Sequence, residues 1–322
     1  MRKLLYYIIG IIVPAFFVAC SDDDGNLRPS SQDENWWVNY DNPDDPLDHL
    51  IYEVYSQYGV AIFYNDTVGL QDRDVDAFGN PNVYYEVIKL NYGILGGATD
   101  AEAATYALSY NKDEITDGVE LLRDYVLPNL PDFVPAPKSY LLVDTLRLGI
   151  LNPALQIPYA GSAYAGMTTV AVGKLGMIKT MTEEEKKMFG GEILAAPVAS
   201  TVYDDYTTTL TPGFYKEVQK LGPGYWGYGN KVDINNTSSF YPKYAHWYEY
   251  GFLKPALDKE FREDALYYFP NKEQDVADFV ALCLGFTEAE VLTTYGMYEH
   301  IINKYYFMME IFDLLKKDNS KK

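Results

Sequence analysis

The strongest strand signal in the chain is Ser139-Tyr140-Leu141-Leu142-Val143. A short, continuous apolar run of this kind predicts a strand that is buried inside a sheet. Two similar runs flank it, Val60-Ala61-Ile62-Phe63-Tyr64 earlier in the chain and Thr168-Thr169-Val170-Ala171-Val172 later. Residues 83–90 are a further strand prediction. The predicted strands therefore fall mostly in the first half of the chain.

The helical signals fall mostly in the second half. Apolar residues recur at spacings of three and four in several segments, and Thr182-Glu183-Glu184-Glu185 is a capping box that opens a further helix. Gly190-Gly191 is expected to end that helix, and Pro197 disfavours an uninterrupted one. Strands followed by helices indicate an α+β fold. The periodic segments are residues 47–58, 113–126, 275–284 and 288–315.

The N-terminus resembles the signal peptide of a bacterial lipoprotein. Met1-Arg2-Lys3 is basic and precedes an apolar run over residues 4–18. This run is shorter than the ~20 residues of a membrane-spanning helix, and its pattern is typical of a signal peptide. Phe17-Val18-Ala19-Cys20 resembles a lipobox, so we expect residues 1–19 to be removed and Cys20 to carry lipid. The alternative is an ordinary secretory peptide with an incidental cysteine.

Residues 20–45 are predicted to form a flexible acidic tether, because they contain few aliphatic residues and many Asp, Asn, Ser and Pro. Ser21-Asp22-Asp23-Asp24 resembles the surface-export signal of Bacteroidetes lipoproteins. This resemblance implies an outer-membrane protein that is anchored through the lipid on Cys20 and faces the cell exterior. The alternative is a solvated linker that carries no export signal.

The composition fits an acidic globular domain behind this tether. The 322 residues include 26 Lys and Arg against 46 Asp and Glu, a net charge of −20, which disfavours nucleic acid as a partner because phosphates attract cations. Apolar residues make up 48% of the chain, enough for a hydrophobic core. Cys283 is the only cysteine beyond Cys20, which excludes a disulfide within the mature chain, and its apolar context predicts an inert thiol. We expect one domain over residues 46–316 and a disordered tail over 317–322.

Several short segments together resemble one family, the zinc metallopeptidase lipoproteins of Bacteroidetes, also described as substrate-import-associated zinc metallohydrolases. The resemblance implies a zincin-like α+β scaffold. It also implies association with starch-utilisation-type outer-membrane uptake proteins. The matching segments are Leu47-Asp48-His49-Leu50-Ile51-Tyr52, Tyr58-Gly59-Val60-Ala61-Ile62-Phe63-Tyr64, residues 137–143, Tyr250-Gly251-Phe252 and Gln274-Asp275-Val276-Ala277-Asp278-Phe279.

The motif that defines this family is missing from the chain. His-Glu-x-x-His places two zinc ligands on one helix face, and its Glu activates a bound water. Counting back from Pro212-Gly213-Phe214-Tyr215-Lys216 puts Ala199-Ser200-Thr201-Val202-Tyr203 at the motif position, and no histidine lies between His49 and His246. No catalytic residue or zinc ligand is carried over. We therefore expect a pseudoenzyme that serves as a binding or accessory component of nutrient uptake.

An active hydrolase with a non-standard metal or carboxylate site is one alternative. Its weak candidates for a metal site are Asp275, Asp278, His246 and His300. Catalytic zinc needs three protein ligands and structural zinc needs four, so this inventory is thin and no bound metal is expected. The hydrolase hypothesis requires these side chains to converge in one cleft.

An aromatic-rich binding surface is a second alternative. Residues 221–230 combine glycines with Tyr225, Trp226 and Tyr228, and Trp247 follows. Exposed aromatic rings would stack on a glycan or pack against a peptide. The competing interpretation is that these rings cover the hydrophobic core beneath a long loop, since Trp and Tyr are usually well buried.

Overall fold

The computed structural model describes residues 34–90, 104–134, 136–148, 159–219, 228, 231–233, 247–255 and 266–319. The predicted signal peptide, Cys20 and residues 21–33 of the tether lie outside these ranges. Trp36–Lys322 forms one compact unit. Within the described ranges, every helix is too short or too polar to cross a membrane.

The last part of the predicted tether belongs to the folded domain. The Asn39 side chain accepts the backbone N–H of Ile62 at 2.8 Å and donates to the Ile62 carbonyl at 2.9 Å. The Trp37 ring packs edge-on against Phe63 at 6.1 Å between centroids. The prediction of a flexible segment up to residue 45 is therefore wrong for these residues, because two tryptophans and an asparagine supply contacts that the polar composition conceals.

The first helix, α1 (Pro46–Tyr58), is delimited by its caps. The Asp45 side chain accepts the backbone N–H of Leu47 at 3.1 Å. Gly59 ends the helix in the left-handed region, at a φ of 71°. A residue without Cβ adopts this conformation at low cost. The cap turns the chain directly into strand β1 (Ala61–Phe63), so α1 packs beside the sheet.

The main sheet is organised around the long strand β5 (Ser139–Leu148), the strongest prediction from the sequence. Its first half pairs in parallel with β1 and with β8 (Thr169–Val172), and β7 (Ala163–Ala165) adds an antiparallel edge to β8. Its second half pairs antiparallel with β4 (Ala104–Leu108) and β6 (Tyr159–Ala160). The burial of β8 and of the first half of β5 on both faces explains their continuous apolar sequences.

Two smaller strand pairs lie outside this sheet. The antiparallel hairpin of β2 (Thr67–Val75) and β3 (Pro81–Val87) is largely exposed. Strand β3 ends before the predicted limit of residue 90, because Ile88 and Leu90 are buried in the sheet core instead. The pair of β9 (Lys231–Asp233) and β10 (Leu266–Tyr268) is also antiparallel.

The helices cover the sheet and form a second core. Helix α2 (Lys112–Leu121) continues as a π-helical turn (Leu122–Val126) and a 3-10 turn (Leu127–Asn129). The predicted helix over residues 288–315 is two helices that are separated at Gly296, and the second continues to Asn319, into the predicted tail. The others are α3 (Leu175–Ile178), α4 (Glu183–Ala195), α5 (Ala199–Asp205), α6 (Thr207–Leu210), α7 (Phe214–Gln219), a 3-10 turn (Trp247–Tyr250), α8 (Lys272–Gly285), α9 (Glu288–Tyr295) and α10 (Glu299–Asn319).

The architecture confirms the α+β prediction, with most strands before most helices. One core lies between the sheet and helices α1 to α4, around residues such as Leu142 and Val172. Another lies among α4 to α10, around Phe214, Phe279 and Ile311. Helix α4 contributes to both cores, so it joins the sheet to the helical half.

Helix α4 runs through Gly190 and Gly191, so the predicted break at this pair is wrong. A Cβ at Gly190 would press on the side chain of Tyr125, and one at Gly191 would overlap the carbonyl oxygen of Ala281 in α8. The two glycines are thus needed for close helix packing. Their cost in helix propensity, roughly 1 kcal/mol each, is offset by tertiary contacts.

Candidate functional site

Helix α8 carries two buried acidic residues on its first two turns. Asp275 is 1% exposed and Asp278 is 5% exposed. The helix starts at Asn271, whose side chain accepts the backbone N–H of Gln274 at 2.7 Å. An ionised carboxylate is expensive to bury without a partner. The partners of these two carboxylates therefore define the chemistry of this region.

Asp275 forms a closed ion pair with Lys304 of α10. The Lys304 ammonium, itself fully buried, lies 2.6 Å from both carboxylate oxygens and donates to the Gly251 carbonyl at 2.7 Å. The Tyr228 hydroxyl donates to the same carboxylate at 2.7 Å. Burial raises the pKa of Asp275 and lowers that of Lys304. The ammonium also faces the rings of Phe214, Phe252 and Phe279 at 4.4, 5.0 and 4.3 Å.

Asp278 shares a second lysine with a residue of α4. The Lys254 ammonium lies 3.0 Å from Asp278 Oδ1 and 2.6 Å from Glu192 Oε1. Desolvation raises the pKa of Asp278 to about 7, against the opposing pull of Lys254. Desolvation acts in the same direction on Glu192, but Lys254, a hydrogen bond from Ser162 and the charge of Lys174 outweigh it and lower the pKa of Glu192.

Lys254 remains charged at this position. Desolvation works against its ammonium form, but the two carboxylates outweigh this effect and raise the pKa of Lys254. Its side chain is 42% exposed, whereas those of Glu192 and Asp278 are 20% and 7% exposed. The three side chains form what we call the bridged triad, which extends from the helical core to the surface.

Two oxygens beside the bridged triad lack a hydrogen-bond donor among the residues that the structure describes. They are Asp278 Oδ2 and Gln274 Oε1, both buried. Gln274 and Asp278 lie one turn apart on the same face of α8. The Gln274 amide nitrogen donates to the Pro255 carbonyl at 3.5 Å, so this face borders the segment that carries Lys254. The triad region is therefore rich in acceptors and poor in donors.

The metal-site candidates do not converge on one another in the described structure. Asp275 and Asp278 each face a lysine, and His300 Nδ1 lies 3.1 Å from Glu217 Oε2, which also accepts from Asn303 at 3.2 Å. His246 lies outside the described residues. Within the described part of the chain, no group of three or more His, Cys, Asp or Glu side chains is placed to hold a metal ion. The Lys254 ammonium also occupies the position between Glu192 and Asp278 that a metal ion bound by both carboxylates would take.

Two of the aromatic candidates are engaged by the core. Tyr228 packs edge-on against Tyr215 and Phe252, each at 5.5 Å between ring centroids. Trp247 packs in the same way against Phe269 at 5.8 Å. This placement favours the interpretation of Tyr228 and Trp247 as core-covering rings. Tyr225 and Trp226 lie outside the described residues.

The sequence offered different signals for two residues of the bridged triad that were missed, Glu192 and Lys254. Glu192 lies within Phe189-Gly190-Gly191-Glu192-Ile193-Leu194-Ala195, in which its neighbours are buried. A single acid within an apolar helical segment is a signal for a paired, buried carboxylate. Lys254 had no such signal, because Phe252-Leu253-Lys254-Pro255 resembles an ordinary loop.

Searches of protein-family models, of curated proteins and of solved structures found no match to this chain. The role of the bridged triad is therefore inferred from its geometry and charge alone.

Proposed function

We propose that this protein is a lipid-anchored outer-membrane protein of the cell surface, built on a zincin-like scaffold without a catalytic zinc. Its role is that of a binding or accessory component in starch-utilisation-type nutrient uptake, next to outer-membrane uptake proteins. The proposal combines the lipobox at Cys20, the family-like segments and the chemistry of the bridged triad.

The observation that carries the proposal is the position of Lys254. In a zincin, a helix supplies the histidines and the general base, and a later acidic residue completes the zinc site. Here Glu192 of α4 and Asp278 of α8 face each other, and an ammonium group lies between them at 2.6 and 3.0 Å. A lysine in this position offers positive charge without metal-binding or Lewis-acid chemistry. The donor set does not fit zinc.

The packing of α4 suggests a different position for the degenerate motif. We place it at Gly191-Glu192-Ile193-Leu194-Ala195, where Glu192 retains the glutamate of His-Glu-x-x-His and Gly191 and Ala195 replace the two histidines. This register differs from Ala199-Ser200-Thr201-Val202-Tyr203, which was obtained by counting back from Pro212-Gly213-Phe214-Tyr215-Lys216. Helix α5 does pack on α8, but Glu192, the acid that shares Lys254 with Asp278, is on α4.

The replacement at Gly191 also removes the space for a ligand. A Cβ on Gly191 would overlap the Ala281 carbonyl oxygen, and a Cβ on Gly285 of the partner helix would overlap the Lys187 carbonyl oxygen. The two helices thus cross at a backbone-to-backbone distance that a histidine would not allow. On this proposal, the loss of zinc chemistry is built into the packing and is not reversed by a single substitution.

Metal analysis of the purified mature chain tests the proposal. After incubation with zinc and desalting, we expect much less than one zinc per chain in the wild type. Lys254→Ala, in which the ammonium is removed, serves as a comparison, and it is also expected to lack stoichiometric zinc because histidine ligands are absent. One tightly bound zinc per wild-type chain would overturn the pseudoenzyme proposal.

A further inference from the structure

The region next to the bridged triad has an unmet need for hydrogen-bond donors. Asp278 Oδ2 and Gln274 Oε1 are both buried, lie on one face of α8 and have no partner among the described residues. Leaving such oxygens unpaired costs free energy in general. A ligand that brings several donors to this face would recover that energy.

We infer that this face of α8 binds the protonated amino group of a ligand, a primary ammonium that donates to Asp278 Oδ2 and Gln274 Oε1. The inference rests on the binding role proposed above and names the ligand chemistry of the same site. An ammonium group has three donors and no acceptor, so it matches two acceptor oxygens better than a hydroxyl or an amide does.

The charge of the site supports a cation. Glu192 and Asp278 bring two negative charges when both are ionised, and Lys254 returns one positive charge, which leaves the triad at −1. The nearby pair of Asp275 and Lys304 is neutral in sum. A ligand ammonium would therefore neutralise the charge of −1 on the triad. A neutral polyol would donate the hydrogen bonds but would leave that charge uncompensated.

The same electrostatics couple binding to pH. Asp278 is influenced by Lys254, Glu192 and Asp275, and burial raises its pKa to about 7. Below that pH its carboxyl holds a proton, which an incoming ammonium must displace. The proton competes with the ligand, so we expect apparent affinity to increase by about tenfold from pH 6 to pH 8.

The triad reaches the surface next to the buried Asp278 side chain. The side chains of Lys254 and Glu192 are 42% and 20% exposed, respectively. A primary amine on a flexible chain could reach Asp278 beside Lys254, as a lysine or amino-sugar group would. These two sources share one chemistry, so the experiment separates them.

The test is an NMR titration of the full mature chain with n-propylamine, which stays protonated from pH 6 to pH 8, and with neutral n-propanol. We expect saturable shifts at Asp278 and Gln274 with the amine, weaker effects with the alcohol, and tighter amine binding at pH 8. Asp278→Asn should weaken binding at least tenfold, and Gln274→Met, which removes the acceptor, should weaken it severalfold. Exposed Asp313→Asn is the matched control and should leave binding unchanged.

Two further ligands then identify the source. Acetyl-Gly-Lys-Gly-amide presents only a side-chain amine, and glucosamine presents an amino sugar; tighter binding of one of them assigns the class. Equal shifts with amine and alcohol, or an Asp278→Asn variant that is folded and binds as the wild type does, would overturn the inference. The absence of amine binding by a wild-type chain that is free of zinc would also overturn the inference, but it would leave the pseudoenzyme proposal intact. Stoichiometric zinc would instead overturn that proposal.

Discussion

Lys254 is the residue on which the account of the site depends. Lys254→Met removes the cation between Glu192 and Asp278 while it keeps a side chain of similar length. Loss of a partner from a buried pair costs about 3–5 kcal/mol, and the 42% exposure of Lys254 reduces this to roughly 1–2 kcal/mol because solvent screens the pair. Urea denaturation at pH 7.5 measures this loss in the free energy of unfolding.

The matched control for Lys254→Met is Lys186→Met. Lys186 is on the surface of α4 and lies 3.7 Å from the exposed Glu183, so its removal is expected to change stability by less than about 0.5 kcal/mol. Equal stability of the two variants would show that the bridged triad does not hold α4 and α8 together.

The raised pKa of Asp278 predicts a specific dependence of stability on pH. The folded value is about 7, and the usual value is 3.8, so between these values the folded state holds more protons than the unfolded state. The free energy of unfolding then falls as pH rises through this window, with a slope of up to about 1.4 kcal/mol per pH unit from this group. Asp278→Asn removes the group, so its stability relative to the wild type should rise from pH 5 to pH 8.

Denaturation curves at pH 5 and pH 8 test the direction of this effect. Asp313→Asn, at a carboxylate whose side chain is 66% exposed, is the control and should follow the wild type at both values. A stability difference between Asp278→Asn and wild type that stays constant or falls between pH 5 and pH 8 would contradict the burial of a protonated carboxyl at this position.

At the scale of elements, the crossing of α4 and α8 depends on glycine. Gly191→Ala places a methyl group against the Ala281 carbonyl oxygen, so one helix must shift, and we expect a loss of about 1–3 kcal/mol. Gly176→Ala in α3 is the control, because its methyl group would meet the Glu114 carboxylate at an ordinary 3.4 Å. Thermal unfolding compares the two; a Gly191→Ala variant as stable as Gly176→Ala would refute the close crossing.

Helix α4 also shows which structural features the sequence predicts and which it does not. The capping box at Thr182 and Glu185 predicted its start, and the structure has both hydrogen bonds of that box. Its course through Gly190 and Gly191 was not predictable from local propensity, since the glycines serve contacts to Tyr125 and Ala281, which are distant in sequence. The strands show the same contrast. The buried first half of β5 was predicted correctly, whereas its continuation to Leu148 was not predicted. Strand β4, which pairs with β5 and alternates in burial, was also missed.

The candidate site was less predictable than the fold. Asp275 and Asp278 were singled out through the family resemblance of their segment, but their lysine partners come from segments that lie far apart in the chain. Whether a buried carboxylate meets a metal, a lysine or a histidine depends on three-dimensional packing, which no spacing rule reports. His300 illustrates this point, because it was considered as a metal ligand and instead lies beside Glu217.

The proposed lipid anchor predicts where the protein is found in the cell. Cys20→Ala should abolish lipid labelling and move the chain out of the membrane fraction, while the domain beyond Trp36 still folds because Cys283 is a free thiol. Fatty-acid labelling with fractionation of cells measures both properties. Retention of label or of membrane association by this variant would contradict lipid attachment at Cys20.

The proposed export to the cell surface is tested separately from the lipid anchor. Replacement of Asp22-Asp23-Asp24 by alanines should keep the lipid and lower the exposure of the protein to protease added to intact cells. The control replaces Asp33-Glu34, which lie farther along the tether. Unchanged protease sensitivity in the first variant would contradict a role of these acids in export to the surface.

A crystal of the mature chain soaked in zinc, with diffraction recorded on both sides of the zinc absorption edge, tests whether an ammonium group has taken the place of the metal. We predict lysine density between Glu192 and Asp278, with the ammonium of Lys254 in contact with both carboxylates and no anomalous peak there. An anomalous peak about 2.0–2.2 Å from oxygens of both carboxylates, with Lys254 displaced, would contradict the claim that an ammonium group has taken the place of the metal.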